Sequence, residues 1–399
     1  MRGRSPRLAL VPQFEVHSGV CELPREEWNA LVGDQSPFLE WDWLASLEEA
    51  GCVAPETGWQ AWPLVVREQG RAIAACPLYL KGHSEGEFVF DWSWADAAER
   101  AGIRYYPKLL VGVPFTPVTG ARFLVAKGES RSAWAPRLAE ALRQLCDEKG
   151  LSGVHVNFCR EDEAESLADS DYLLRVGFQY HWHNHGYETF DDYLARFRSK
   201  RRNQIRRERR EMQNQGVEIE TVSGDAAPDE LFDAMFRCYT STLQTHYWGR
   251  QYLNRRFFEL LRERFGQRLR FVVARRGREI LAGTTNVVKG DAFYGRYWGA
   301  LSPLRHLHFN VCYYAAIEHC IEHGLRRMEP GAGGDYKWLR GFDATPTRSL
   351  HFLSEPRLAH AVKGFLESER REAQRVIDEL EQASPLRKRS PSESPTRPR

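Results

Sequence analysis

At 399 residues the chain is too long for one ordinary domain and fits two of about 150 to 200 residues. Its net charge of +2 excludes a globally basic nucleic-acid binder, so affinity for phosphates has to come from a local patch. The eight cysteines include no CxxC pair, which excludes a cysteine-ligated zinc module and reads as reduced thiols. No run of 18 apolar residues occurs, and the apolar run at 8–11 is too short for a signal-peptide core, so the expectation is a cytoplasmic protein with no membrane span.

Residues 36–50, SPFLEWDWLASLEEA, open with a turn at Ser36-Pro37 and put Phe38, Leu39, Trp43, Leu44 and Leu47 on one helical face. Residues 62–67 and 72–80 read as strands around Gln69-Gly70, and 87–94 as a third, aromatic strand. A stretch rich in Gly, Pro and Tyr at 101–120 reads as an insertion, followed by a helix at 133–149 and a strand at 153–159. In HWHNH, His181, His183 and His185 alternate, and a strand would place all three on one side. No acidic or cysteine ligand is tied to them by spacing, so no metal is assigned.

Residues 187–215 predict a helix with Thr189 as N-cap, Asp191 and Asp192 in its first turn, a thin seam of Leu194, Phe197, Ile205 and Met212, and Gly216 as its end. Nine of the fifteen residues from Arg196 to Arg210 are Arg or Lys. Such a run is either a solvated face or a polyanion site. The density of guanidinium forks favours the second, with Arg201, Arg202 and Arg206 as phosphate contacts. Two helices follow, at 229–244 and 254–265, and Tyr247 and Trp248 in the joint between them either pack the helices or line a cleft.

Residues 269–342 organise the rest. An apolar run at 270–275, a turn at Arg276-Gly277 and a strand at 280–288 make a hairpin, and 292–299 is a third strand carrying Tyr297 and Trp298. A helix is predicted over 308–323 with Gly324 at its C-cap, then a short strand at 326–329 and the loop Pro330-Gly331-Ala332-Gly333-Gly334. The first hairpin repeats the second in its Gly-Arg-x-Ile-x-Ala core, and the elements after it come in the same order, which implies an internal duplication. A last strand at 351–353, a charged helix at 356–380 and a Pro/Ser/Arg-rich tail complete the chain.

The loop and the residues after it, EPGAGGDYKWLRGF, are the strongest chemical signal. Small residues at Gly331, Gly333 and Gly334 let the backbone approach a ligand, and Lys337 and Arg340 stand three apart as cations for a phosphate or an oxyanion. The loop does not fit GxxxxGK[ST], so it is not a nucleotide-hydrolysing P-loop. Glu329, Asp335 and His308 are candidate bases, and spacing does not rank them.

The order of three antiparallel strands, a helix, a strand and a glycine-rich loop resembles the core of a GNAT-type acyltransferase. The motifs SPFLEWDWL, FRSKRRNQIRRER, GRYWG at 295–299, the LHF-x-x-CYY-x-x-IE run at 307–318 and EPGAGGDYKWLRGF together resemble the FemAB-like group within that superfamily. The resemblance implies an α/β (α+β) chain of two tandem GNAT-like halves, at 1–186 and 187–382, each a mixed, mainly antiparallel sheet flanked by helices, with a tail at 383–399. It implies transfer of an acyl or aminoacyl group to an amine, on a small molecule or a cell-wall precursor, from acyl-CoA or aminoacyl-tRNA as co-substrate; no cofactor is tightly bound, and tRNA is a partner if it is the donor. The rival is a non-catalytic module that binds a peptidoglycan-related or RNA ligand. In a fold of this type the helix N-terminus faces the donor, so either His306 or His308 is placed to bind phosphate or move a proton; Tyr247, Trp248, Tyr297, Trp298 and Tyr336 are the candidate substrate-binding residues. Asn310 stands where the family pattern has an acidic residue, and Gly-Ala-Gly-Gly-Asp-Tyr-Lys where it has Gly-Ala-Gln-Gly-Glu-His-Lys.

Overall fold

The computed structural model describes residues 12–245 and 250–387, so Tyr247 and Trp248 lie outside the described residues. The chain forms two compact units. The first takes the chain up to Arg175 together with Arg348–Leu366, and the second takes Val176–Thr347 with the chain from Glu367 onward. This is not a single cut at 186/187. Residues 348–353 pair antiparallel with Gly153–Cys159, and that pairing draws the late segment into the first unit. The tail boundary also moves, because Leu386 bridges Phe197 and Arg387 N–H donates to the Arg196 carbonyl.

In the first unit, β1 (Gln13–Val16) pairs antiparallel with β3 (Leu64–Glu68), β3 with β4 (Arg71–Cys76), and β4 with β7 (Leu124–Val125). The hairpin arms are longer than β3 and β4, but Pro63 and Pro77 interrupt them, since proline cannot supply a ladder N–H. Their outer portions, β2 (Trp59–Ala61) and β5 (Leu78–Lys81), pair in a second sheet, where β5 runs antiparallel to β6 (Lys108–Val111) and β6 parallel to β8 (Gly153–Cys159). The helix Arg131–Glu148 covers one face, with Trp134, Leu138 and Leu142 packed against Leu109, Val111, Val154 and Val156. The third strand is therefore β6, inside the stretch read as an insertion. Residues 87–94 are not a strand, because the Asp91 carbonyl accepts from Trp94 and Ala95 N–H and starts the helix Trp92–Arg100.

The second unit repeats the plan. From β9 (Leu173–His183), residues 176–183 belong to it, and its sheet adds β10 (Glu218–Ser223), β11 (Leu269–Arg276), β12 (Glu279–Lys289), β13 (Ala292–Ala300) and β14 (Arg327–Glu329), with residues 343–347 of β15 (Asp343–Leu353). The ladders β10–β11, β11–β12 and β12–β13 are antiparallel, β13–β14 is parallel, and β14–β9 is antiparallel. The first unit has the same succession, antiparallel up to a third strand and then one parallel pair. Both units thus have a GNAT-like strand succession, with β6 rather than residues 87–94 as the third strand of the first unit. The predicted hairpin and third strand are in place, whereas the polar edge strand β10 has no apolar alternation to announce it.

The helix over 307–323 is not uniform. Leu307–Phe309 and Ala315–Glu322 are α-helical, and Asn310–Tyr314 between them make a π turn, a widening that is common at functional sites. The predicted basic helix is two helices. Phe190–Ala195 carries the expected cap, in which Thr189 Oγ1 accepts from Asp192 N–H at 3.1 Å, and Ser199–Asn214 carries the charge. No helix among the described residues is long and apolar enough to cross a membrane.

Candidate functional site

The second unit has a place where two parallel strands part. β13 and β14 pair at Ala292↔Arg327, Phe293↔Met328 and Tyr294↔Glu329; β14 then ends, while β13 runs on to Ala300. At the parting point a Cβ on Gly295 would lie 3.2 Å from Pro330 Cα, and four residues on a Cβ at Gly299 would run into the Cys238 backbone. Both glycines of GRYWG are thus set by close approach of another chain segment. Between them the register with β12 shifts, with Thr285 opposite Tyr297 and Asn286 opposite Gly295, so Arg296 is an extra residue that bends the strand.

Glu329 sits at this point, 3% exposed. Its Oε1 is 3.0 Å from Arg327 Nε, and its Oε2 has no hydrogen-bond partner. Burial pushes its carboxyl up to about 7 against the pull of Arg327 and Arg296. A buried carboxyl held near neutrality is poised to take or give a proton at physiological pH. Of the other two candidate bases, Asp335 is exposed on the loop, and His308 packs edge-on to Trp298 with ring centroids 5.1 Å apart. Burial, with Arg340 and Lys337 nearby, lowers His308 to about 4, so it is neutral at pH 7.

The two cations expected to face a ligand are turned inward. Lys337 is 3% exposed, and its ammonium donates to the carbonyls of Gly331 at 2.6 Å, Ala332 at 3.3 Å and Gly333 at 2.5 Å. Burial lowers it to about 8. It closes the glycine loop on itself, with Gly331, Gly333 and Gly334 all at positive φ. Lys337→Met is therefore expected to lose about 1–3 kcal/mol of stability, since three carbonyls lose their charged donor. Denaturant unfolding measures this, and an unchanged midpoint would show the carbonyls already hydrated.

Arg340, also 3% exposed, donates from Nη2 to Glu208 Oε2 at 3.1 Å, from Nε to Tyr314 OH at 2.9 Å and from Nη1 to the Tyr336 carbonyl at 3.1 Å, with its guanidinium 3.4 Å over the Phe309 ring. Tyr314 OH donates to Glu208 Oε2 and Gln204 Nε2 to Glu208 Oε1. Glu208 is 1% exposed; burial pushes its carboxyl up, but the Tyr314 and Gln204 hydrogen bonds and the Arg340 charge outweigh this and hold it below the usual value. It fastens the basic helix to the π turn and to the loop. Glu208 is not among the site residues that the sequence picks out. Its position in the Ile205, Glu208, Met212 seam, three and four apart, is the signal that marks it as buried.

Asn310 uses its amide to hold backbone, with Nδ2 donating to the carbonyls of His306 at 2.9 Å and Glu208 at 3.2 Å. His306, at φ 65°, has Nε2 3.5 Å from Glu211 Oε2, so the imidazole faces the acidic residues of the basic helix. On that helix Arg201 donates to Gln204, Arg206 to Asp191 and Arg209 to Glu318. Lys200, Arg207 and Arg210 lie together on its exposed face with no ion pair among the described residues, and Arg202 is half-buried. Tyr297 packs on Tyr239, at 5.3 Å, and Tyr336 is 59% exposed beside Phe309.

The corresponding place in the first unit is filled. Where β6 and β8 part, Gly120 N–H donates to the Phe158 carbonyl, while Arg122, 1% exposed, donates from Nε to the Asn157 carbonyl at 2.6 Å and from Nη2 to Val118 at 2.7 Å. Among the described residues one group could hold a metal, Glu87, Asp91 and His155 in this unit. Its centre is taken by the Lys108 ammonium, 2.5 Å from Asp91 Oδ2 and 3.1 Å from Glu87 Oε2.

Two GNAT-like units, one with a filled cleft and one with a buried carboxyl where its strands part, define the class. The chain belongs to the FemAB-like family, described as one of peptidoglycan biosynthesis and recognition, whose model matches residues 19–388. Among solved structures it is similar to FemX, at 11% identity and a TM-score of 0.52 over 86% of this chain and 98% of that one. It is also similar to the C-terminal domain of a protein named as a lysylphosphatidylglycerol synthetase from Agrobacterium fabrum, at 13% identity and a TM-score of 0.51 over 84% and 94%. A conserved protein of unknown function from Bacteroides thetaiotaomicron matches at 10% identity and a TM-score of 0.51 over 85% and 99%. At these identities the likeness is one of fold. No curated protein matches the sequence.

Proposed function

We propose that the chain is an N-acyltransferase of the GNAT/Fem type, moving an acyl or aminoacyl group from a CoA thioester or aminoacyl-tRNA to an amine, with a cell-wall precursor as a candidate acceptor. The observation that carries this reading is the buried Glu329 carboxyl at the parting of β13 and β14, held near pH 7 with one oxygen unpartnered. An ammonium acceptor must lose a proton before it attacks a carbonyl, and Glu329 takes it. Backbone N–H groups of β13 beyond Tyr294, on the side where β14 has ended, are the donors for the oxyanion. The attack forms the C–N bond and breaks the C–S or ester C–O bond directly, with no covalent enzyme intermediate, and the second proton lost by the nitrogen goes to the departing sulfur or oxygen.

In this reading Gly331, Gly333 and Gly334 let the donor approach the backbone, and Lys337 and Arg340 act by holding that loop in shape. Asp335, Tyr336 and Trp298 border the acceptor, and His306, Arg201, Arg202 and Arg206 remain candidates for donor phosphates, joined by the exposed Lys200, Arg207 and Arg210. Asn310, an amide where a carboxylate is expected, favours the second reading of a binding module.

A polyanionic donor makes affinity steeply salt-dependent, because each neutralised phosphate releases counterions. Binding of CoA and of bulk tRNA, titrated from 50 to 300 mM salt, should weaken by roughly tenfold or more for the true donor. The triple reversal Lys200→Glu, Arg207→Glu, Arg210→Glu should abolish that binding with the fold retained. Salt-independent affinity, or normal binding by the triple variant, removes the basic helix from the donor site.

A further inference from the structure

The histidine row of β9 is not absorbed by this mechanism. His181 and His183 lie on β9 with ring centroids 6.4 Å apart, and the ring of His185, just past the end of the strand, is 6.3 Å from that of His183. Their burial is graded: His181 is 5% exposed, His183 is half-buried and His185 is exposed. At the inner end, His181 Nε2 lies 3.8 Å from Glu329 Oε2, and both atoms are buried without a hydrogen-bond partner. Two unpaired polar atoms of complementary chemistry facing each other in a core cost free energy unless a proton or a water is shared between them. The three imidazoles do not converge as metal ligands, since the one group among the described residues that does so lies elsewhere.

We propose that His181, His183 and His185 form a proton path connecting the buried Glu329 carboxyl to solvent, an inference that rests on Glu329 being the base. Glu329 is shut away from bulk water, so a proton taken from the acceptor nitrogen needs a way out before the next turnover. It passes from Glu329 Oε2 to His181 Nε2, breaking O–H and forming N–H. His181 gives up the proton on Nδ1 towards His183, and His183 and His185 repeat the exchange. Ring spacings of this length call for a bridging water at each step. Each ring is left as its other tautomer and returns by exchange with water.

The charged groups facing the row agree with this. Burial, then Arg327 and Lys337, lower His181 to about 3, and burial, then His181 and Arg327, lower His183 to about 4. Both are neutral at pH 7, and a neutral imidazole is donor and acceptor at once, which a relay requires. A row of imidazolium ions could only donate.

The test needs no substrate. In protein carrying 15N-histidine and 13C-glutamate, side-chain resonances of His181, His183 and Glu329 are followed from pH 5 to 9 and assigned with His181→Gln, His183→Gln and Glu329→Gln. The expected result is one shared midpoint near pH 7 for the Glu329 carboxyl and the His181 Nε2 signal, a smaller matching shift at His183, and loss of both histidine shifts in Glu329→Gln. A Glu329 midpoint near 7 with silent histidines overturns the path and leaves the base in place. A Glu329 midpoint in the ordinary carboxylate range overturns the base reading itself. His183→Gln keeps polarity at a half-buried position, so its own melting curve separates relay from packing.

Discussion

Replacing Glu329 with Gln should lower turnover by about 100- to 10,000-fold above the midpoint, by less at acid pH, and abolish the acid limb of the pH–rate profile, which in the unmodified protein should have its midpoint near 7. The size follows from losing the only group assigned to take the acceptor's proton. The midpoint follows from burial, which raises the carboxyl from 4.5 to about 7 against the charges of Arg327 and Arg296. The same shift has a stability signature of known sign. Between those two values the native state holds a proton that the unfolded chain has lost, so stability falls as pH rises across that window. Glu329→Gln carries no such penalty, and at pH 8 the variant should be at least as stable as the parent. Parallel pH-rate and thermal-melting series read both effects. Near-normal turnover in the variant would move the base to His308 or Asp335.

The largest stability effect is expected at Glu208. Its carboxylate accepts from Tyr314, Gln204 and Arg340, and truncating one partner of a buried pair leaves the other charge without compensation. Glu208→Ala should cost about 3–5 kcal/mol in denaturant unfolding, and Glu208→Gln less, since its oxygen still accepts. Because the Glu208 carboxyl is held below its ordinary value, its contribution is present above the unfolded value and is lost as pH falls through the folded one. In a double-mutant cycle with Arg340→Met, the double variant should lose less than the sum of the singles. A cost under about 1 kcal/mol for Glu208→Ala would mean that water already screens the pair.

These two residues mark where the sequence is legible and where it is not. The hairpin β11–β12, the aromatic β13 and the cap at Thr189 follow from local rules of alternation, turn residues and side-chain capping, and they lie where those rules put them. Glu329 is readable as a candidate because it ends a short strand before a glycine loop. Its burial is not, since that depends on β9, which precedes it by about 150 residues in the chain and pairs with β14. Lys337 and Arg340 look like ligand-facing cations because spacing shows charge and hides direction; three carbonyls and Glu208 turn them inward. In the first unit Phe88, Phe90 and Trp92 look like residues of a third strand, while Asp91 among them serves as a helix start and an ion-pair partner.

The most direct measurement of the central claim is the mass of the acceptor. The full-length protein is incubated with acetyl-CoA or a mixed aminoacyl-tRNA pool and a set of amine-bearing muropeptides, and the peptides are analysed by mass spectrometry. The account predicts that one donor adds its acyl mass to a peptide amine and that the product disappears with Glu329→Gln. Tight, salt-sensitive binding of either donor with no mass gained on any amine would contradict the transferase and leave a protein that binds without turning over.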